Sequence, residues 1–156
     1  MTRPLAPTFR DLDAAEMDAL LGRNHVGRIA YSFRDRVDIQ PIHYVYADGA
    51  FYLRTDPGSK LMTLAHAPWV AFEVDEIDGL FDWRSVVAHG TVYVLEDVGS
   101  PEARATYRAA VGRLREIMPG ALGPDDPAPH RRVVMKLYPS DLTGREARSA
   151  GGGDSS

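Results

Sequence analysis

Cysteine is absent from the chain, which has 156 residues. A protein without cysteine has no disulfide bond, no thiolate zinc site, no iron–sulfur cluster and no cysteine nucleophile. The absence is compatible with a reducing compartment, and we expect a cytoplasmic protein. Stability must then come from a packed apolar core, which a hydrophobic content of 44% can supply.

The sequence also lacks long apolar runs and any excess of positive charge. No stretch approaches the ~20 apolar residues of a membrane helix, and the first residues, MTRPLAPTFRDLD, lack the apolar segment of a signal peptide. The net charge of -4 is unfavourable for a nucleic-acid partner. The five histidines form neither an H-x-x-x-H nor an H-E-x-x-H pair, so we expect no metal site.

What is present is a succession of short segments in which apolar and polar residues alternate. The segments predicted to be strands are VGRIAYSF, VDIQPIHYVY, FYLRT, WVAFEVDE, WRSVVAHGTVYVLE and RRVVMKLYP. Short connections between most of them, including Asp48-Gly49, favour antiparallel pairing. Helical patterns span residues 12–22, residues 58–66 and the segment that begins at Ser100-Pro101.

These elements predict a mainly β protein, a small closed barrel of six antiparallel strands with about three helices packed outside it. Residues 1–148 are interpreted as a single domain. Residues 149–156 are small, polar and glycine-rich, which predicts a flexible tail.

The segment TDPGSK, residues 55–60, lies between a predicted strand and a predicted helix. Asp56 can cap the helix and Pro57 can occupy its first position, while Gly58 leaves the backbone uncovered. A phosphate site at this helix start would use the neighbouring polar side chains, which are Arg54, Thr55, Ser59 and Lys60. Read alone, the segment favours an ordinary capped helix, because the Asp56 carboxylate would compete with a phosphate for the same N–H groups.

Pro41 lies in the middle of a predicted strand, where it cannot donate a ladder hydrogen bond. One explanation is a corner of the barrel. The other is that a flat ligand replaces the missing pairing and faces the neighbouring amides of Gln40 and Ile42. Residues 83–85, Trp-Arg-Ser, open the long strand, and they could form the rim of a site or belong to the core and the surface.

The order of these features resembles that of the pyridoxamine 5′-phosphate oxidase-like flavin-binding split barrels. The shared features are a strand with an internal proline, an Asp-Gly hairpin, the segment FYLRTDPGSKLMTLAHAPWVAFEVDE and the segment WRSVVAHGTVYVLED. The similarity extends over roughly residues 12–142. It is greatest to the small flavin-nucleotide-binding proteins, a branch that includes the nitroimidazole-resistance proteins.

The resemblance implies a six-stranded split barrel that forms a homodimer and binds FMN at the subunit interface. It implies that the flavin phosphate lies at a strand end and a helix start, whose residues here are Arg54, Thr55, Gly58, Ser59 and Lys60. The strand that carries Gln40, Pro41 and Ile42 would lie along the flavin ring. The cofactor site would be completed, in this chain or from across the dimer, by Trp83, Arg84 and Ser85.

The function implied is that of an FMN-dependent oxidoreductase acting on a small organic substrate, with no catalytic residue identified. The chain ends YPSDLTGREARSAGGGDSS and lacks the tryptophan- and arginine-rich segment with which the oxidase holds its substrate, so pyridoxamine 5′-phosphate oxidation is not expected. Leu53 stands where nitroimidazole-resistance proteins carry a histidine. The alternative is a binding protein without turnover that carries a flavin, a deazaflavin or haem.

Overall fold

The computed structural model describes residues 6–59 and 69–151. Seven strands and two helices form within these residues. In chain order they are β1 (Thr8–Asp11), α1 (Ala14–Arg23), β2 (Val26–Phe33), β3 (Arg36–Ala47), β4 (Ala50–Thr55), β5 (Trp69–Gly79), β6 (Asp82–Leu95), α2 (Pro101–Ile117) and β7 (Val133–Arg148). Neither of the two helices is long and apolar enough to cross a membrane. Most of the helix predicted over residues 58–66 and the end of the predicted tail lie outside the described residues.

Six of the strands close into an antiparallel ring. They are hydrogen-bonded in the order β7-β4-β3-β2-β5-β6, and β6 pairs back onto β7. The prediction of a mainly β, antiparallel fold with peripheral helices is therefore confirmed. The short strand β1, which pairs with the end of β7, was not predicted, and β7 continues to Arg148 beyond its predicted end at Pro139.

The local signals in the sequence act where they were expected. Asp48 and Gly49 have φ angles of 53° and 74°, and such a pair of positive values suits the tight turn that joins β3 to β4. Asp13 caps α1, and its side chain forms a capping box with Glu16. Ser100 caps α2 by accepting a hydrogen bond from the Ala103 amide.

The core fills the inside of the ring and is closed at one end by α1. Tyr44, Phe51 and Phe72 are almost fully buried there, with ring centroids 4.8–5.7 Å apart. Leu20 and Leu21 of α1 pack against the same cluster. Burial of such side chains typically contributes about 1.5–3 kcal/mol each, so the ring is a rigid support for whatever its strand ends carry.

The second helix packs on the outside of the ring. Its buried residues Ala110, Val111 and Leu114 belong to a separate apolar cluster with Tyr52 of β4 and Val134 of β7. This packing fixes the end of α2 near the two strands. The connection from α2 to β7 therefore has to pass the end of β4 before β7 begins.

Candidate functional site

A cleft opens where β3 and β4 separate. The two strands pair from Ala47 and Ala50 as far as Tyr44 and Leu53. The earlier part of β3 pairs with β2, whereas β4 ends beside β7, with Thr55 opposite Val133. The cleft between the separated strands has a volume of about 620 Å³.

The cleft brings together most of the site residues that the sequence predicted. Those on its wall are Gln40, Pro41, Ile42, Arg54, Thr55, Gly58 and Ser59. Lys60 lies outside the described residues. At Pro41, β3 pairs with β2 through Arg28, and the cleft borders the other edge, so this is an edge position of the kind that tolerates proline.

The structure places Trp83, Arg84 and Ser85 elsewhere in the chain. Trp83 and Arg84 line a second cavity of about 320 Å³ at the beginning of β6. Arg84 donates from Nε to Oε2 of the buried Glu146 at 2.9 Å. Ser85 donates from Oγ to Glu73 Oε2 at 3.2 Å. A single chain does not bring these three residues to the cleft.

Six further residues line the cleft that were not among the predicted site residues. They are Tyr31, Asp38, Ile39, Asp56, His130 and Arg131. His130 and Arg131 follow the turn-rich loop between α2 and β7, and no local pattern indicates where such a loop passes in space. Tyr31 and Asp38 lie in segments that were predicted to be strands. They are far from TDPGSK in the sequence, so no local pattern indicated that they belong to the same site.

Asp56 organises the turn at the end of β4. Its Oδ1 accepts a hydrogen bond from the Gly58 amide at 3.0 Å, which is an Asx turn. Its carbonyl accepts one from the Ser59 amide, also at 3.0 Å. Both amides are therefore satisfied within the protein, and polar contacts to a ligand at this turn fall to side chains such as the Thr55 and Ser59 hydroxyls.

Arg54 is engaged by a carboxylate from the loop between α2 and β7. Its Nη1 and Nη2 donate to Asp126 Oδ2 and Oδ1 at 2.6 and 3.0 Å, a bidentate pair. The side chains are only 6% and 2% exposed. Asp126 also accepts the Leu122 and Ala128 amides at 2.8 and 2.9 Å.

The Asp126 carboxylate is thus fully hydrogen-bonded. The Arg54 guanidinium beside it, with the two amides, holds the pKa of Asp126 well below its usual range. A signal for this pair was present in the sequence, because an arginine in the apolar strand FYLRT needs a counter-charge if it is buried. Nothing in the sequence indicated which acid supplies it.

The opposite end of the cleft is acidic and aromatic. Burial raises the pKa of the Tyr31 hydroxyl, and the nearby Asp38 carboxylate raises it further. Tyr31 therefore stays protonated at neutral pH and can donate a hydrogen bond. A ligand that fits this cleft carries an anionic group at the Thr55 end and hydrogen-bonding groups at the Tyr31 end.

The residues present fit a flavin nucleotide. Thr55 and Ser59 provide hydroxyl donors and Arg131 provides a cation for a phosphate, while Pro41 and Ile42 provide an apolar surface for a ring system. Within residues 6–59 and 69–151, no group of three or more histidine, aspartate or glutamate side chains is placed to hold a metal ion. Among the histidines, His89 has a side chain that is 45% exposed, and its Nδ1 lies 3.2 Å from a carboxylate oxygen of Asp141.

Comparison with known proteins assigns the fold to a family. The family model described as pyridoxamine 5′-phosphate oxidase matches residues 13–146. The chain belongs to this family. The match includes both strands that border the cleft and the loop that carries Asp126, and it confirms the resemblance found in the sequence.

Solved structures share this family's fold. A FAD-binding protein from Mesorhizobium loti is 25% identical with a TM-score of 0.72, over 92% of this chain and 100% of that chain. A FAD-binding protein from Mycobacterium smegmatis is 25% identical with a TM-score of 0.65, over 88% of this chain and 99% of that chain. A FAD- and haem-binding protein from the same organism is 18% identical with a TM-score of 0.65, over 92% of this chain and 75% of that chain, a likeness that shows the fold alone. Among curated proteins none matches significantly.

Proposed function

We propose that the cleft between β3 and β4 binds FMN and that the protein is an FMN-dependent oxidoreductase acting on a small organic substrate. The observation that carries the proposal is the convergence of Thr55 and Ser59, at the end of β4, with the proline-containing edge of β3 in one cleft. Membership of the family supports the proposal, and the FAD-binding proteins from Mesorhizobium loti and Mycobacterium smegmatis support the binding of a flavin.

When bound, the flavin supplies the hydride or electron transfer of the reaction. The residues of this chain bind and orient it. Thr55 and Ser59 hold the phosphate, and the edge of β3 at Pro41 lies along the ring. The open mouth of the cleft gives a small substrate access to the ring.

We propose further that two copies of the chain form a homodimer that completes the site. Val37 and Ile39 of β3 are 75% and 68% exposed, and Val26 of the neighbouring β2 is 46% exposed, which is more apolar surface than one sheet face usually leaves to water. Trp83, Arg84 and Ser85 would reach the flavin from the partner subunit, since they lie at a different cavity in their own chain. Sedimentation at micromolar concentration, which separates a species of 17.2 kDa from one of twice that mass, is the check.

The flavin proposal is tested by titrating the purified protein into FMN. We expect the fluorescence of FMN to be quenched to saturation at one FMN per chain, with a shift of its visible absorption band. Unchanged FMN fluorescence throughout the titration would contradict the proposal.

FAD, a deazaflavin and haem are titrated in parallel, and a haem Soret band without any flavin binding would favour the haem-binding alternative. Turnover is followed on the loaded protein through the flavin absorption band.

A substitution at Asp56 can remove the negative charge of its side chain while keeping the turn that this side chain stabilises. Asp56→Asn keeps the Asx turn, since asparagine accepts the same Gly58 hydrogen bond, but removes a negative charge beside the phosphate position. Two charges ~6 Å apart in water interact by about 0.7 kcal/mol, so FMN is expected to bind about threefold more tightly.

The matched control for this measurement is Asp141→Asn, since Asp141 is 62% exposed and does not line the cleft. FMN binding by the Asp56 variant that is unchanged or weaker, with the control unchanged, would contradict a repulsion between the Asp56 carboxylate and the phosphate.

A further inference from the structure

The cleft contains two arginines, and their electrostatic situations differ. Arg54 forms a bidentate pair with Asp126 inside the protein, so its positive charge is compensated and one donor on each of its two terminal nitrogens is already engaged. Arg131 has no carboxylate within 4.0 Å of its side chain among the described residues. Among the described residues that line the cleft, Arg131 is therefore the one arginine whose positive charge is not compensated by a carboxylate.

The backbone places Arg131 beside the turn at the end of β4. Val133, two positions later, pairs with Thr55 in the β4–β7 ladder. The Arg131 amide donates to the Ala128 carbonyl at 3.0 Å, which turns the chain immediately before β7 starts. Arg131, just before β7, and the segment Thr55–Ser59, at the end of β4, therefore lie at the same end of the cleft.

A neighbouring histidine limits where the guanidinium can go. Arg131 Nη1 lies 3.5 Å from His43 Nδ1 on β3. Because a guanidinium in a protein has donors and no acceptor, Nδ1 of His43 has to be the acceptor in this contact. Among the described residues the Arg131 side chain forms no other hydrogen bond, so its remaining donors are available to a ligand.

We propose that Arg131 is the arginine that contacts the phosphate of the bound nucleotide, whereas Arg54 is a positioning residue that acts through Asp126. The inference rests on the proposed flavin function and names a residue outside the segment TDPGSK. Asp126 joins the two roles, because it holds Arg54 and also accepts the Ala128 amide, and Ala128 in turn accepts the amide of Arg131.

The test compares two adjacent arginines and two ligands. Arg131→Ala is measured against Arg132→Ala, a change at an exposed neighbour that does not line the cleft. Each variant is titrated with FMN and with riboflavin, which carries the same ring without the phosphate. Loss of a charge-assisted contact typically weakens binding by about 10-fold or more, so Arg131→Ala is expected to lose that factor for FMN and almost nothing for riboflavin. Arg132→Ala is expected to bind both ligands as the wild type does.

Three outcomes would overturn the inference, and they are distinguishable. Equal losses for FMN and riboflavin would show that Arg131 supports the cleft and does not contact the phosphate. Unchanged FMN binding by Arg131→Ala, with a wild type that binds FMN, would refute the inference and leave the proposed function intact. A wild type that binds neither ligand would refute the proposed function and this inference with it. Arg131→Lys keeps the charge without the planar fork and is expected to recover part of the lost FMN affinity.

Discussion

Replacement of Arg54 by alanine is expected to lower the melting temperature by roughly 10 °C, because it leaves a buried carboxylate without its partner. The Asp126 side chain is 2% exposed and would keep only the hydrogen bonds from the Leu122 and Ala128 amides. The loop that ends at Arg131 is then expected to shift, so FMN affinity should fall as well. Thermal unfolding followed by circular dichroism measures the first effect and an FMN titration the second.

The double variant Arg54→Ala/Asp126→Ala separates loss of the pair from exposure of a lone charge. With both charged groups removed, no buried carboxylate is left uncompensated, and the double variant is expected to be more stable than Arg54→Ala. A single Arg54→Ala variant that melts with the wild type would contradict the buried-pair account.

The same pair predicts how stability responds to acid. The pKa of Asp126 is lowered in the folded protein, so its contribution to stability is fully present above the ordinary carboxyl pKa of about 4 and is lost as the pH falls below it. The Arg54→Ala/Asp126→Ala variant lacks this carboxylate. We expect its stability to decrease less steeply than that of the wild type below that pH.

Gly90→Ala is expected to destabilise the fold by about 3 kcal/mol or more, because the ring closes at this position without room for a side chain. A Cβ on Gly90 would lie 2.1 Å from the Tyr138 carbonyl oxygen and 2.8 Å from Pro139 Cα. Both contacts are with backbone, which cannot rotate away. Gly90 also follows a register shift between β6 and β7, where His89 pairs with Asp141 and Gly90 with Pro139.

Gly112→Ala provides the matched control for the same chemical change. A Cβ at Gly112, in the interior of α2, meets no atom within 4 Å. Alanine is more favourable than glycine in a helix by about 0.8–1 kcal/mol, so this variant should be slightly more stable than the wild type. Chemical denaturation measures both variants, and a Gly90→Ala protein as stable as Gly112→Ala would refute the close approach of β6 and β7.

The strands of the ring could be predicted because their signals are local. Alternation identified the segments from β2 to β6, the Asp48-Gly49 pair identified a hairpin, and Ser100-Pro101 marked the start of α2. The position of Pro41 in one of these strands also pointed to an unusual strand edge. Each of these signals depends on residues within a few positions of one another.

The parts that the sequence did not reveal depend on contacts between distant residues. β1 is only four residues long and exists through its pairing with β7. The second half of β7 contains Pro139 and Gly144, which locally indicate a break, yet pairing with β6 continues through this stretch after one register shift.

The candidate site was predicted only in part, because some of its residues meet through contacts between distant parts of the chain. TDPGSK and the Pro41 strand were identifiable because each carries a local irregularity, whereas Asp126 and Arg131 reach the cleft only through the path of the loop between α2 and β7. The role of Arg54 shows the limit most clearly. The sequence identified it as a polar residue of the site but could not reveal that another part of the chain already neutralises its charge.

A crystal structure of the FMN complex tests most directly whether the end of β4 holds the phosphate of FMN. We expect the phosphate within hydrogen-bond distance of the Thr55 and Ser59 hydroxyls and of the Arg131 guanidinium, with the ring along Gln40–Ile42. FMN bound instead in the apolar groove of about 640 Å³ that Tyr93 and Tyr138 line, with the β3–β4 cleft empty, would contradict it.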